Sequence, residues 1–281
     1  DLVCLEVATG KTHWHKNLQR DFGGRMMSGW GYSESPLVDG DKLIVTPGGS
    51  KATLVALDKK NGDALWSAHV PQGDGAAYSS VIVGAVGSQR EYIQFLGKGV
   101  VGVSAEDGKF LWRYDRPANG TANCSTPIFH DNAVFAASGY GTGGGLARLS
   151  LDGSQAKAQQ VYFTQHMKNH HGGMVLVDGY VYGSDEGLLA CIEFKTGKVM
   201  WEDRHPGKGS IAYADGHLYY RNEGGPVVLI KADPHKYVEK GRFNQPDRSG
   251  SSAWPHPVIA NGRLYIHDQD VLLCYDVKKL P

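Results

Sequence analysis

Val7-Ala8-Thr9-Gly10-Lys11-Thr12-His13-Trp14 returns along the chain as Asn61-Gly62-Asp63-Ala64-Leu65-Trp66, Asp107-Gly108-Lys109-Phe110-Leu111-Trp112 and Thr196-Gly197-Lys198-Val199-Met200-Trp201. Each copy is a glycine turn with a tryptophan four residues after the glycine. A short apolar run precedes each turn: Leu2-Val3-Cys4-Leu5, Leu54-Val55-Ala56-Leu57, Val100-Val101-Gly102-Val103 and Leu189-Ala190-Cys191-Ile192. Decayed copies of that run stand at 146–150, 227–231 and 272–276. A recurrence of roughly 38–52 residues is the period of a propeller blade and not of a helical solenoid. The fold class this predicts is all-β, a β-propeller of four-stranded antiparallel blades.

Between the apolar runs lie hairpin signals at Asp39-Gly40, Asp131-Asn132, Asp178-Gly179, Asp215-Gly216 and Asn261-Gly262. Such pairs between alternating apolar residues favour two-residue turns. Gly87-Ser88-Gln89-Arg90 reads as a longer connection. Each blade then has strands A to D: an A–B hairpin, the apolar C strand, the glycine turn and D with its tryptophan. One domain over 1–281 is expected, with blades near 1–18 (half), 35–70, 78–116, 124–163, 171–205, 209–243 and 256–279 (partial). The copy at 146–163 has lost its glycine–tryptophan pair, and Val161-Tyr162-Phe163 replaces its D strand. Tyr237-Val238 does the same in the copy at 227–243. The N-terminus offers strands C and D and the C-terminus A, B and C, so the expectation is a fragment of about six to seven blades lacking its N-terminal portion. Residues 19–33 read as a glycine-rich loop, and no segment shows sustained helical periodicity.

Lys plus Arg and Asp plus Glu both number 29, so no net field draws the chain to nucleic acid or an acidic membrane. No apolar run approaches the ~18 residues of a membrane span. Of the four cysteines, Cys4, Cys191 and Cys274 occupy one position of the C strand in different blades. Equivalent points on packed sheets lie about 10 Å apart, beyond the ~7 Å Cα limit of a disulfide. They are expected as small buried core residues, and Cys124 has no partner in this reading.

The repeat pattern of apolar strand, Leu-Asp, Thr-Gly-Lys and Trp, best seen at Leu57 to Trp66 and Ile192 to Trp201, resembles the pyrroloquinoline quinone (PQQ) type β-propeller repeat. Trp30-Gly31-Tyr32-Ser33-Glu34-Ser35-Pro36, Asn169-His170-His171-Gly172-Gly173 and Gln245-Pro246-Asp247-Arg248-Ser249-Gly250 are similar to the secreted PQQ-like proteins of planctomycete-type bacteria. That group is related to the outer-membrane assembly propeller lipoprotein and to quinoprotein dehydrogenases. The resemblance implies eight blades in the full protein, a periplasmic or secreted location, and Trp14, Trp66, Trp112 and Trp201 docking each blade on the next.

In a propeller the A strands line the axis, and the D-to-A and B-to-C connections share one face. Ligands favour concave sites with a few convergent polar groups. The residues before the A strands include Trp30, Tyr32 and Glu34, then Tyr78, Asn123, His170 and His171, Lys208, Arg248, Trp254 and His256. They are expected to converge on an axial channel mouth. Each also has a plainer reading: Trp30 and Trp254 as apolar caps, Glu34 with Arg248 or Lys208 as inter-blade ion pairs. Adjacent His170 and His171 point oppositely in an extended segment, so no metal site is expected. The run Gly141 to Gly145 lacks the helix and Lys-Ser/Thr of a phosphate loop.

Two function classes follow. The first is a non-catalytic, monomeric binding or scaffolding module for a protein, glycan or small-molecule ligand, with no cofactor. The second is a PQQ- and calcium-dependent alcohol dehydrogenase of the polyvinyl-alcohol-dehydrogenase type. There Trp254, Arg248, Glu34 and Asn123 would supply stacking, a cation and oxygen ligands. The sequence lacks the adjacent cysteine pair of PQQ alcohol dehydrogenases and a C-x-x-C-H haem motif, which favours the first.

Overall fold

The structure, a computed structural model, describes residues 1–72, 74–152 and 155–278. Two compact units divide the chain, Asp1–Val161 and Tyr162–Pro281. In the first, β1 (Leu2–Leu5) pairs with β2 (Thr12–Lys16), and a helix α1 (Leu18–Phe22) follows. The next sheet holds β3 (Leu37–Asp39), β4 (Lys42–Val45), β5 (Leu54–Asp58) and β6 (Ala64–Ala68). Another holds β7 (Ile82–Val86), β8 (Gln89–Leu96), β9 (Gly99–Ser104) and β10 (Phe110–Tyr114). Then come β11 (Ile128–His130), β12 (Ala133–Ser138), β13 (Gly143–Asp152) and β14 (Gln155–Thr164). The second unit has β15 (Met174–Val177), β16 (Tyr180–Asp185), β17 (Leu188–Glu193) and β18 (Val199–Asp203). It continues with β19 (Gly209–Ala214), β20 (His217–Asn222), β21 (Pro226–Lys231) and β22 (Glu239–Asn244). Its last sheet has β23 (Val258–Ala260), β24 (Arg263–Asp268) and β25 (Val271–Asp276). Every sheet is a consecutive antiparallel meander, and the fold is that of a β-propeller.

The expected loop at 19–33 begins instead with α1. Asn17 caps it by accepting from Arg20 N, and Gly23 ends it at φ 64°. The hairpins also differ in detail. Four have both loop residues at positive φ, as a type I′ turn requires: Asp131-Asn132, Asp178-Gly179, Asp215-Gly216 and Asn261-Gly262. The other two turn one residue later than Asp39-Gly40 and more tightly than the long connection expected at 87–90. Their two-residue loops are Gly40-Asp41 and Gly87-Ser88, with positive φ only at the glycine, as type II′ needs.

Neighbouring sheets within each unit pack face to face through continuous apolar layers. β5 and β9 each lie between two such layers, and both, like β17, are buried along almost their whole length. That is why these runs lack the alternation of a half-exposed strand. The cysteines report the same rule. Cys191 is buried in a four-stranded sheet, Cys4 is half-buried in a two-stranded one, and Cys274 is exposed on β25, which corrects its expected burial. All four are free thiols.

The repeated turn has one hydrogen-bond pattern. Gly10, Gly62, Gly108 and Gly197 donate to the carbonyls of Glu6, Asp58, Ser104 and Glu193, at 2.8–2.9 Å, with φ of 71–75°. Aromatic rings of the preceding sheet lie over most of these glycines. A Cβ at Gly62 would meet Trp14 at 2.9 Å, one at Gly108 would meet Trp66 at 2.5 Å, and one at Gly197 would meet Tyr162 at 2.5 Å. Trp14 Nε1 donates to Lys59 O (3.1 Å), Tyr162 Oη to Phe194 O (2.8 Å) and Trp201 Nε1 to Asp233 O (2.9 Å). Tyr162 therefore makes the tryptophan's contact in the sheet that lost its tryptophan. Two copies deviate for visible reasons. Lys42 Nζ takes the equivalent acceptor, Ala105 O (2.5 Å), and Trp66 Nε1 is buried without a partner. Trp112 Nε1 donates instead to Glu91 Oε2 (2.8 Å) within its own sheet. Trp112 is 3% exposed, whereas Trp14, Trp66 and Trp201 are half-buried on outer strands.

Gly10 and Gly108 share a positive φ, but only Gly108 has a ring above it; a Cβ at Gly10 meets nothing within 4 Å. Both alanine variants carry the ~1–2 kcal/mol left-handed penalty. Gly108→Ala adds an overpacking cost of about 1–3 kcal/mol. Thermal melts should therefore place Gly108→Ala clearly below Gly10→Ala; equal melts would contradict the ring contact.

Candidate functional site

In the first unit, Trp30 is 59% exposed and packs edge-on against Tyr78, centroids 5.8 Å apart. Tyr78 Oη is fixed by Ser28 Oγ (2.6 Å), and its backbone N donates to Asn123 O (3.0 Å). The other three residues singled out here spend their polar atoms internally. Tyr32 Oη donates to Pro47 O (2.8 Å), and burial, then the Glu34 charge, push its phenol up to about 12. Glu34 accepts from Thr46 N (2.5 Å) and Gln94 Nε2 (3.3 Å), and burial of its carboxyl lifts the pKa to about 7. Asn123 is fully buried: Nδ2 donates to Leu96 O (2.9 Å), and Oδ1 accepts from Asn119 N (2.9 Å).

In the second unit the predicted residues gather around a residue the sequence reading passed over, Glu223. Its Oε1 accepts from His171 Nε2 (2.7 Å) and Trp254 Nε1 (2.8 Å), and Lys208 Nζ lies 3.3 Å from Oε2. The His171 ring packs at a tilt of 36° against Trp254, centroids 5.6 Å apart, and meets His170 at 4.9 Å. His256 bonds His171 O through Nε2 (2.8 Å). Arg248 donates to Glu223 O (3.0 Å) and to Gly224 O. All six predicted residues of this unit thus sit on one cluster.

The charge state follows from the bonds. Burial pushes His171 down to about 4 against the pull of Glu223. Its Nδ1 is buried without a partner, so the network assigns the neutral Nε2–H tautomer. Burial opposes ionisation of Glu223, but His171, Lys208 and the Trp254 N–H outweigh it and hold the carboxyl below its usual range. Burial likewise lowers His170 and His256. Glu223 follows β20 in a B–C turn, on the loop face shared with the D-to-A connections.

Two cavities lie elsewhere. One of about 460 Å³ is lined by residues including Asp39, Lys42, Arg90 and Tyr92, and one of about 620 Å³ by residues including Trp112, Arg113 and Lys157. Neither is lined by a residue predicted for ligand binding. Among the described residues no three His, Cys, Asp or Glu side chains group to hold a metal, and no helix is long and apolar enough to cross a membrane.

The meanders and the glycine–aromatic turns define a PQQ-like repeat β-propeller. The chain belongs to the family described as outer membrane protein assembly factor BamB, whose profile matches residues 1–203. No curated protein matches it. Among solved structures it is similar to BamB from Moraxella catarrhalis, with TM-score 0.66 and 16% identity over 97% of this chain and 74% of that one. The computationally designed Ika8 protein matches with TM-score 0.63 and 10% identity, over 87% of this chain and 70% of that one. Quinohemoprotein alcohol dehydrogenase from Comamonas testosteroni matches with TM-score 0.60 and 12% identity, over 89% of this chain but 53% of that one. At these identities the likeness is one of fold.

Glu34 gives a test with a definite sign. Its folded-state pKa of about 7 lies above the ~4.3 of an unfolded glutamate, so the folded chain holds the proton more tightly. This contribution is complete below about pH 4.3 and is lost as pH rises towards 7, at up to ~1.4 kcal/mol per pH unit. Glu34→Gln removes the titration while keeping an acceptor for Thr46 N. Its melting temperature should gain on the parent across pH 4.5–7; parallel curves would place the Glu34 carboxyl in solvent.

Proposed function

We propose that the chain is a non-catalytic binding or scaffolding module, a monomer in the periplasm or outside the cell. It presents the loops before its A strands to a protein, glycan or small molecule and takes no nucleic acid. The observation that carries this reading is the Glu223 cluster. Each carboxylate oxygen already has an internal donor; the His171 Nε2–H is spent on Glu223, and its remaining nitrogen, Nδ1, is buried, with burial pushing the ring down to about 4, so neither group is poised as a base or nucleophile. What the cluster offers outward is Trp254, 47% exposed, and the exposed Arg248. Trp30 on Tyr78 is the corresponding outward group of the first unit. The half-buried and buried tryptophans dock sheet on sheet and take no part in binding.

The dehydrogenase reading is disfavoured by its own donor set. Calcium takes six to eight oxygen ligands. The Glu34 carboxyl is enclosed and pushed up to about 7, and Asn123 Oδ1 is committed to a backbone N–H. These residues do not fit PQQ and its metal, and no step is derived through them.

Titration of the purified chain with PQQ and calcium, followed by quinone absorbance and dye-linked alcohol oxidation, tests this. The expected result is no spectral change and no turnover. A saturable spectral shift with turnover would overturn the reading.

A further inference from the structure

We propose that Trp254 and Arg248 form a platform for an acidic saccharide, the indole face stacking on a sugar ring and the guanidinium pairing with its carboxylate. The proposal rests on the binding-module reading and names its ligand class.

The indole is held before any ligand arrives. Its N–H is spent on Glu223 Oε1 (2.8 Å), His171 backs the ring at 5.6 Å, and Trp254 O accepts from Ser210 Oγ (3.3 Å). With the N–H used internally, recognition falls to the exposed face of the ring. A locked ring loses little freedom on binding.

Arg248 is held as firmly. Its two terminal nitrogens donate to Glu223 O and Gly224 O, and the side chain lies across Gly225, where a Cβ would meet Arg248 Cδ at 2.5 Å. The loop is pinned on both sides of it. Gln245 Oε1 accepts from buried Arg221 (2.6 Å), and Ser249 Oγ donates to Asp268 Oδ1 (2.6 Å). Arg221 and Asp268 themselves pair at 3.1 Å.

Two other cations of the cluster have carboxylate partners: Lys208 has Glu223 and Arg221 has Asp268. Among the described residues no carboxylate pairs with Arg248. A guanidinium carries five N–H donors, so two carbonyls leave N–H groups for an anion.

Arg248 and Trp254 meet on Glu223, one at its backbone carbonyl and the other at its carboxylate, and a cation so held near an exposed indole selects a ligand with a negative group next to a flat C–H surface. A uronic-acid unit has both. A peptide anchor instead seeks a desolvated pocket, and Trp254 stands on a surface and lines neither described cavity.

The test uses intrinsic tryptophan fluorescence and calorimetry on the whole chain. The probes are tri-galacturonate, neutral cellotriose and a glutamate-rich peptide. Tri-galacturonate should bind at least tenfold more tightly than cellotriose and more weakly as salt rises. Trp254→Ala should cost at least tenfold, and Arg248→Gln should erase the preference for acid, both with melting temperatures near the parent. Arg248→Lys, which keeps the charge, should retain part of the preference should Arg248→Gln fail to fold. Absence of tri-galacturonate binding, equal affinity for both sugars, or binding unaffected by Trp254→Ala would overturn the proposal. Binding of the peptide alone, through Trp254, would overturn the ligand class while leaving the module reading intact. PQQ-dependent turnover would remove the module reading itself.

Discussion

An aromatic ring lying on a left-handed glycine of the next sheet is the contact from which the rest follows. The turn needs a residue at φ near 71–75°, and it needs one without a Cβ because the ring of the sheet before occupies that space. Over Gly62 and Gly197 the polar end of the ring also donates to a carbonyl of the same turn, while over Gly108 Lys42 takes that carbonyl. One residue type thus supplies apolar area, a fixed spacing and a hydrogen bond, as an amphipathic aromatic can. Where the tryptophan is gone, Tyr162 restores all three through Phe194 O. Trp112 instead turns its N–H onto a buried carboxyl of its own sheet, and burial raises Glu91 to about 7.

Sheets fixed in this way leave their connections free to differ. Polar groups near the inner strand ends mostly satisfy one another: Glu34 with Thr46 and Gln94 in one unit, Arg221 with Gln245 and Asp268 in the other. Unpartnered buried polar groups are expensive, so complete pairing is the expected condition. Against that background the exposed side chains become informative. Trp30 and Trp254 are each held by internal contacts yet keep about half their surface in water. Rigid support beneath an open aromatic face suits recognition better than it suits stability.

The fold was legible because it is written several times over. Period, apolar C strands and glycine turns each repeat, so Val161-Tyr162-Phe163 could be placed as a D strand despite losing both signature residues. Turn positions were less legible. Asp39-Gly40 looks like an Asp-Gly hairpin, but a glycine in the first loop position selects type II′ and moves the turn by one residue. The helix α1 escaped because five residues carry no period. The site was legible only in half. Residues before A strands were found by position, but which are spent internally depends on partners far away in sequence, as Asn123 with Leu96 and Tyr32 with Pro47 demonstrate. Glu223 escaped because it lies in a B–C turn, where a single carboxylate carries no spacing signal.

The most direct measurement is a double-mutant cycle between Trp66 and Gly108. If the ring rests on the glycine, truncating it to leucine makes room for a Cβ, and most of the packing cost of Gly108→Ala disappears in the double variant. Residues in contact typically couple by about 0.5–3 kcal/mol, and denaturant titration resolves a coupling of that size. The account predicts a coupling within this range, with the double variant more stable than the sum of the singles. Additive effects would mean that the ring and the turn do not touch, and the basis for sheet-to-sheet attachment would fail with them.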